Sequence, residues 1–539
     1  MKKKLKRIAA LVLGVAVAVG GSHCDYQFSQ RVEALADTTV SGDTHGMIHV
    51  DGDKLYDENG KEYVIKSMGM GNKVWDNPTK PVKSYATEES YKELSELGFN
   101  GVRYYINVNL FEDKDNNYNY KEDGFEWLSQ NIAWADKYDM KVLINMHVPA
   151  GGFMNTSSAY LWNPQADNMK RCKELWKEIS RRYKDNKAVL GYGLLNEPFM
   201  LKGYNDTKYE DSYCLDQYYD YIEELKDAIR SQGDNHILFV ERPYGTVYYS
   251  DTSGKFTSTA SYVWGDTGSF RIINDSNTVY EFHYYEPGAL THTGLDYGSY
   301  EPDYVYTDAT AIPRGGKVEK KDYYDVATTY DPSSDSWQNI ETGLCKNEGN
   351  FNYGYWTLRT AGHGENGSIL VDDVVVSEYD ENGKYVRDVN VYHFSNPKAG
   401  FSGWDIDKTG GSHGYDAAEG HFQNGCIKIS GLKNGAYRLY KSDMINFVMK
   451  TGYSYKVSAY VKFIDCDNTA TVNPGIQAKK AERLYPLNKD YLDYYLSIFR
   501  QFGIDNNVPM YVGEVGASCT TINSENNAIQ WVSDMLDLF

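Results

Sequence analysis

The sequence predicts an α/β chain built on a TIM (β/α)8-type barrel that lacks strand 8, with an all-β sandwich inserted after strand 6. Three observations carry this. Short apolar runs alternate with amphipathic helical stretches from Ile65 to Tyr285, the rhythm of βα units. From about Tyr304 to Gln477 that rhythm gives way to short strands with turn signals between them. It resumes at Asn488 and continues to the end of the chain.

In order, Met47 to Val64 predicts a hairpin that closes the bottom of the barrel. Its Asp57-Glu58-Asn59-Gly60 turn uses the Asn-Gly pair favoured in such loops. Strand one is Ile65–Met70. Helix one starts at Thr87 with glutamates in its first turn and stops at Gly98. Strand two is Gly101–Ile106, helix two Phe125–Tyr138, strand three Lys141–His147 and helix three Asn168–Tyr183. Cys172 falls on the apolar face of helix three as a small hydrophobe. Strand four is the run Ala188–Leu195, helix four Leu215–Gln232, strand five His236–Val240 and strand six Val279–Tyr285.

The interrupting segment holds Ile369–Val376, Cys426–Ile429 and Tyr455–Phe463, the last alternating apolar and polar residues with period two. A helix over Asn488–Phe502, with Gly503 as its stop, leads into strand seven, Val508–Val512. A final helix over Ser524–Leu538 turns Ile529, Val532, Met535 and Leu536 inward. The expected division is 1–36 as a signal peptide, 37–321 as the first part of the barrel, 322–477 as the inserted sandwich and 478–539 as the truncated second part. Without an eighth strand, either the sequence is truncated or something unusual closes the barrel; an open sheet would leave edge hydrogen bonds exposed.

The N-terminus carries Lys2-Lys3-Lys4, Lys6 and Arg7 ahead of an apolar stretch, Ile8 to Val19, too short to span a membrane comfortably. Ala34-Leu35-Ala36 offers a cleavage site. Cys24 follows His23 rather than a small residue, so secretion is expected over lipid anchoring. The chain should therefore act outside the cell, with no membrane attachment after signal removal, as a monomer. The net charge of −20 argues against nucleic acid as a partner. The other six cysteines form no Cys-x-x-Cys pair, and no metal or cofactor motif is present. Asp113–Asn117 lacks the glycine and the distal acid of an EF-hand. No Gly-x-Ser-x-Gly elbow supports serine esterase chemistry.

Polar residues collect at the C-terminal ends of the strands, where a parallel barrel carries its reacting groups. Strand two gives Arg103, strand three His147, strand four Asn196 and Glu197, strand six His283 and Tyr285. Strand seven gives Glu514, in Gly513-Glu514-Val515-Gly516. Two carboxylates across a barrel mouth suit retaining glycoside hydrolysis, in which one protonates the leaving oxygen and the other attacks the anomeric carbon. Arg103 and Tyr285 would hold Glu514 ionised as the nucleophile. Glu197, in a less cationic setting, would serve as acid/base, the two pKa values being pushed apart. Asn196 would bond the sugar 2-hydroxyl. Trp75, Trp162 and Trp264, in loops after strands one, three and five, are the candidate sugar platforms.

With Asn196-Glu197-Pro198, His283-Tyr284-Tyr285 and Gly513-Glu514-Val515-Gly516 in hand, the chain resembles glycoside hydrolase family 5. Arg103, the segment His147–Gly151 and Trp162 fall at matching positions. The resemblance covers about Gly46 to Tyr304 and Asn488 onward. It implies a (β/α)8 barrel, a retaining endo-acting mechanism and a β-linked polysaccharide or oligosaccharide, most often cellulose-type β-1,4-glucan, with β-mannan or xyloglucan as alternatives. The family's strand-eight aromatic has no counterpart here, and the alternative activity class is a non-catalytic glycan-binding protein. The insert resembles a jelly-roll carbohydrate-binding module. Ile369–Ser377 matches the end of such modules, and Gly403-Trp404, Cys426–Ser430 and Tyr453–Lys462 match their opening half. That order implies a circular permutation, and emergence after strand six would extend the substrate groove.

Overall fold

The computed structural model describes residues 13–15 and 46–539, apart from 114–115, 157–159, 253–254, 263–268, 296–303, 315–318, 325–327, 363, 395–403, 408–411, 433–435, 442–445 and 523–525. Trp264, Gly403, Cys24 and the 34–36 cleavage site lie outside the described residues. The chain forms two compact units: 11–284 with 496–516, and 285–495 with 517–538.

The first unit is a closed barrel. Its seven parallel strands are Lys66–Met70, Gly101–Asn107, Lys141–Val148, Val189–Gly193, Ile237–Glu241, Thr278–Tyr284 and Met510–Val515. These are the expected seven, in the expected order. An unusual element closes the barrel. Leu13–Val15 pairs antiparallel with both the first and the seventh strand, so the backbone groups that an open sheet would expose are paired. That strand comes from the apolar stretch expected to be part of a signal peptide.

The hairpin His49–Asp51 and Lys54–Tyr56 closes the barrel's bottom. Ile48, Leu55 and Ile65 pack there with Leu143, Leu190, Ile237, Phe239, Val279 and Tyr511, which enter from the surrounding strands. Burial of this apolar set fixes the strand register, because a one-residue slip would turn every inward side chain outward. At the opposite end, the loops after the fourth and fifth strands fold into a four-stranded sheet that the sequence did not announce. Its order is Thr207–Lys208, Phe199–Tyr204, Gly245–Thr252 and Lys255–Tyr262.

The second unit holds two mainly antiparallel sheets that share one apolar core. Trp356, Leu358, Ile476 and Ala478 come from one sheet, and Ile369, Val371, Val457, Val461 and Phe463 from the other. Along Ser454–Ile464 the inward residues alternate with half-exposed ones, as the period-two pattern predicted. The sheets reach beyond the expected 322–477 limits. Thr307–Arg314 pairs with Arg483–Leu487, and both lie on the strand path of the first sheet.

Two helices near the end differ from expectation. The helix expected to stop at Gly503 runs Lys489–Asn506, straight through that glycine. The last helix, Ala528–Leu538, buries Ala528, Trp531 and Met535 and leaves Ile529 exposed. The Trp531 indole donates to the Glu286 carbonyl at 3.1 Å, which rotates the helix away from the expected phase.

Candidate active site

Arg103, His147, Glu241, Glu281, His283 and Glu514 sit on the parallel strands, so sheet pairing sets their positions, whereas Asn196 and Glu197 lie just past the end of the fourth strand. Arg103 is fully buried on the second strand. Its Nη1 bonds Glu514 Oε1 at 2.7 Å, and its Nη2 bonds Asn196 Oδ1 at 3.0 Å. Nη2 also pairs with Glu281 Oε1 at 2.8 Å and stands 3.9 Å from Glu241 Oε2. Burial alone would lower the Arg103 pKa, but Glu281 and Glu514 outweigh it and hold the guanidinium charged.

Glu514 leaves the seventh strand one residue after Gly513. The glycine is required by space: a Cβ there would lie 1.8 Å from Glu281 Oε1. The Tyr105 hydroxyl also bonds Glu514, and burial pushes that phenol well above its ordinary pKa, so it stays a donor.

Glu197 follows the fourth strand with a left-handed backbone, φ +41°. Asn155 donates to its Oε2, and its Oε1 lies 3.0 Å from His283 Nδ1. One oxygen each of Glu197 and Glu514 and one nitrogen of His283 fall within 4.8 Å of one another. Carboxyl groups of a retaining pair lie roughly 5–5.5 Å apart, against roughly 6.5–9.5 Å where a water must fit between them. The same three atoms are close enough to share a cation, but the Arg103 guanidinium already supplies the positive charge at Glu514.

The two histidines are driven in opposite directions. His147 stacks on Tyr105 at 4.2 Å between ring centres, with Nδ1 3.3 Å from Asn145 Oδ1 and 4.0 Å from Glu514 Oε1. Burial lowers its pKa to about 4, Glu514 only partly opposing this, so it is neutral near pH 7. Burial would lower His283 too, but Glu241 and Glu514 lift it well above 6.5. Arg103 Nη2, 3.3 Å from His283 Nε2, argues for a neutral ring. Glu197, Glu241, Glu281 and Glu514, each with an oxygen within 3.6 Å of a ring nitrogen, outweigh that contact and raise the imidazole pKa.

The unfolded His147 imidazole titrates near 6.5 and the folded one near 4, so between these values the unfolded chain binds more protons. Its contribution to stability is fully present above pH 6.5 and is lost as pH falls toward 4. Denaturation of the wild type against His147→Asn is expected to show an extra loss of about 3 kcal/mol over that window, absent from the variant.

The remaining expected residues are placed as follows. Trp75 is 54% exposed and meets Tyr105 and His147 in T-shaped contacts at 6.2 and 5.8 Å between ring centres. Trp162 is buried, its Nε1 donates to the Phe199 carbonyl at 2.6 Å, and its edge meets Tyr221. It anchors its loop and offers no face to a sugar, contrary to the expected platform. Tyr285 follows the last residue of the sixth strand, and its ring meets His292 edge-on at 5.1 Å. Four participants were not anticipated: Tyr105, Asn155, Glu241 and Glu281. Glu281 carried a signal, since a carboxylate within a fully buried strand is rare unless paired.

The chain matches the family Cellulase (glycosyl hydrolase family 5) over residues 56–342, more than half of its length. The chain belongs to glycosyl hydrolase family 5. Glu514 lies beyond the matched range, so its place beside Glu197 comes from barrel geometry. Endoglucanase C of Acetivibrio thermocellus is 25% identical over 210 residues, covering 39% of this chain and 53% of that protein. Cellodextrinase A of Ruminococcus flavefaciens is 24% identical over 250 residues, covering 45% of this chain and 63% of that protein. The chain thus spans between about half and two thirds of these family relatives. Among solved structures, endoglucanase Cel5A of Thermotoga maritima is matched at 22% identity over 39% of this chain and 57% of that one, with a TM-score of 0.28.

Proposed function

We propose that the protein is a secreted, retaining endo-β-glycanase acting on β-1,4-linked glucan of the cellulose type. The observation that carries this is the close approach of Glu197 and Glu514, with Arg103 bonded to one and His283 beside both. Glu514, fixed by Arg103 and Tyr105, attacks the anomeric carbon. Glu197 protonates the departing oxygen, then removes a proton from the water that releases the sugar. Asn196, whose Oδ1 accepts from Arg103 at 3.0 Å, would use its amide nitrogen to bond the 2-hydroxyl. Trp75 provides an exposed aromatic face on which a neighbouring sugar can stack.

The names of the relatives, an endoglucanase and a cellodextrinase, support β-glucan over other polymers. The two-sheet unit is proposed to bind the same polymer. Secretion rests on the basic and apolar N-terminal pattern. Removal of a leader through Ala36 would take Leu13–Val15 with it and reopen the edges of the first and seventh strands. The described residues contain no helix long and apolar enough to cross a membrane.

The test is release of reducing ends from β-1,4-glucan, β-mannan, xyloglucan and xylan. Rapid loss of viscosity on glucan, ahead of sugar release, is the expected result. Activity confined to mannan or xyloglucan would move the substrate assignment. Absence of hydrolysis on all four, with polymer still retained in a pull-down, would replace the enzyme reading with that of a glycan-binding protein.

A further inference from the structure

Glu197 is held in a backbone region that residues with a Cβ rarely adopt, and such conformations persist only where the surroundings over-determine them. The holding group is Glu241, the last residue of the fifth strand. Its Oε2 accepts from the Glu197 amide at 2.9 Å. Its Oε1 stands 3.3 Å from His283 Nε2, and the other nitrogen of that ring lies 3.0 Å from Glu197 Oε1. Glu241 therefore reaches Glu197 by two routes, directly at the main chain and through one imidazole at the carboxyl.

The strand end that carries Glu241 is itself tied down. The Tyr218 hydroxyl donates to the Glu241 carbonyl at 2.6 Å, from the helix Asp211–Arg230. The His283 amide donates to the Tyr244 oxygen, which fixes the sixth strand beside it. Glu241 is fully buried, and no step of a double displacement uses it.

We propose that Glu241 is a positioning residue for Glu197, clamping its left-handed backbone and setting its carboxyl against His283. The proposal rests on the reading of Glu197 as acid/base. The charged groups facing Glu241 are His283, Glu281, Arg103 and Glu197. Burial and Glu281 push its carboxyl well above the usual range, against His283 and Arg103, while Glu241 and Glu514 raise the His283 pKa against burial. The pair is thereby suited to keep a donor aimed at Glu197 through the catalytic cycle.

A leaving-group comparison separates positioning from general damage. An aryl glycoside with a dinitrophenolate leaving group needs little protonation, whereas a phenyl glycoside needs the acid. For Glu241→Ala, kcat/KM is expected to fall about 100- to 1,000-fold on phenyl β-cellobioside and less than about tenfold on the dinitrophenyl compound. Glu241→Gln, which keeps an acceptor for the Glu197 amide, should recover part of the loss. Equal losses on both substrates, or none on either, would overturn the proposal. A crystal structure of Glu241→Ala decides independently of turnover. The Glu197 φ is expected to leave the left-handed region or its contact with His283 to be lost, and an unchanged Glu197 would refute the clamp. If the wild type cleaves neither glycoside, it is the hydrolase reading that fails, and the structural comparison still decides the clamp.

Discussion

Glu514→Ala is expected to reduce β-glucan hydrolysis by about 10⁵-fold, because the covalent half of the reaction then has no nucleophile. Glu197→Ala is expected to lose about 10²- to 10⁴-fold, the range for removing a general acid/base. The two variants should also differ in kind. With azide and an activated β-glycoside, Glu514→Ala should yield the α-glycosyl azide, since the anion attacks directly in the vacated space. Glu197→Ala should yield the β-glycosyl azide, since the anion then intercepts a covalent intermediate on Glu514. Identical products from both variants would contradict the assignment of roles. Arg103 touching Glu514 at 2.7 Å and reaching no carboxyl oxygen of Glu197 is the asymmetry on which that assignment rests.

Arg103→Met is expected to destabilise the protein by about 3–5 kcal/mol. It leaves Glu281 and Glu514 buried without the cation that stands 2.8 and 2.7 Å from them. The whole cluster hangs on that one group, since Arg103 also orients Asn196 and stands over the Tyr105 ring. Adding Glu281→Gln to Arg103→Met should restore part of the loss, as expected for residues sharing one network. Chemical denaturation of the four proteins in the cycle measures this. A loss below about 1 kcal/mol for Arg103→Met, the scale of an exposed pair, would mean that the ion pairing is not what holds the site together.

Much of the barrel was legible because parallel strands buried on both faces appear as unbroken apolar runs. A polar residue at the end of such a run then stands out, as Glu197 does after Leu195 and His283 does within Tyr280–Tyr284. What the runs concealed were the acids beneath them. Glu281 shares the inward parity of His283, with Phe282 between them turned out onto Phe499 at 4.2 Å between ring centres. Period two alone would have placed Glu281 under the site, had the cost of a buried unpaired acid been weighed. Glu241 ends the fifth strand just past the apolar run Ile237–Val240, and its contact with the Glu197 amide depends on a backbone angle that no side-chain pattern encodes.

Other departures have local causes. Trp162 went from platform to anchor because its indole nitrogen found a buried carbonyl, a partner that sequence spacing does not reveal. The last helix turned because Trp531 outweighed Ile529 in the competition for the buried face. Closure by Leu13–Val15 joins residues some 500 positions apart, a pairing beyond any local signal.

The central claim is that Glu197 and Glu514 act as a retaining pair. Proton NMR of the products during early hydrolysis of a soluble β-1,4-gluco-oligosaccharide tests it most directly. The β-anomer of the new reducing end should appear first, with the α-anomer growing only at the rate of mutarotation. First appearance of the α-anomer would mean single displacement by water, and the nucleophilic role of Glu514 would fall.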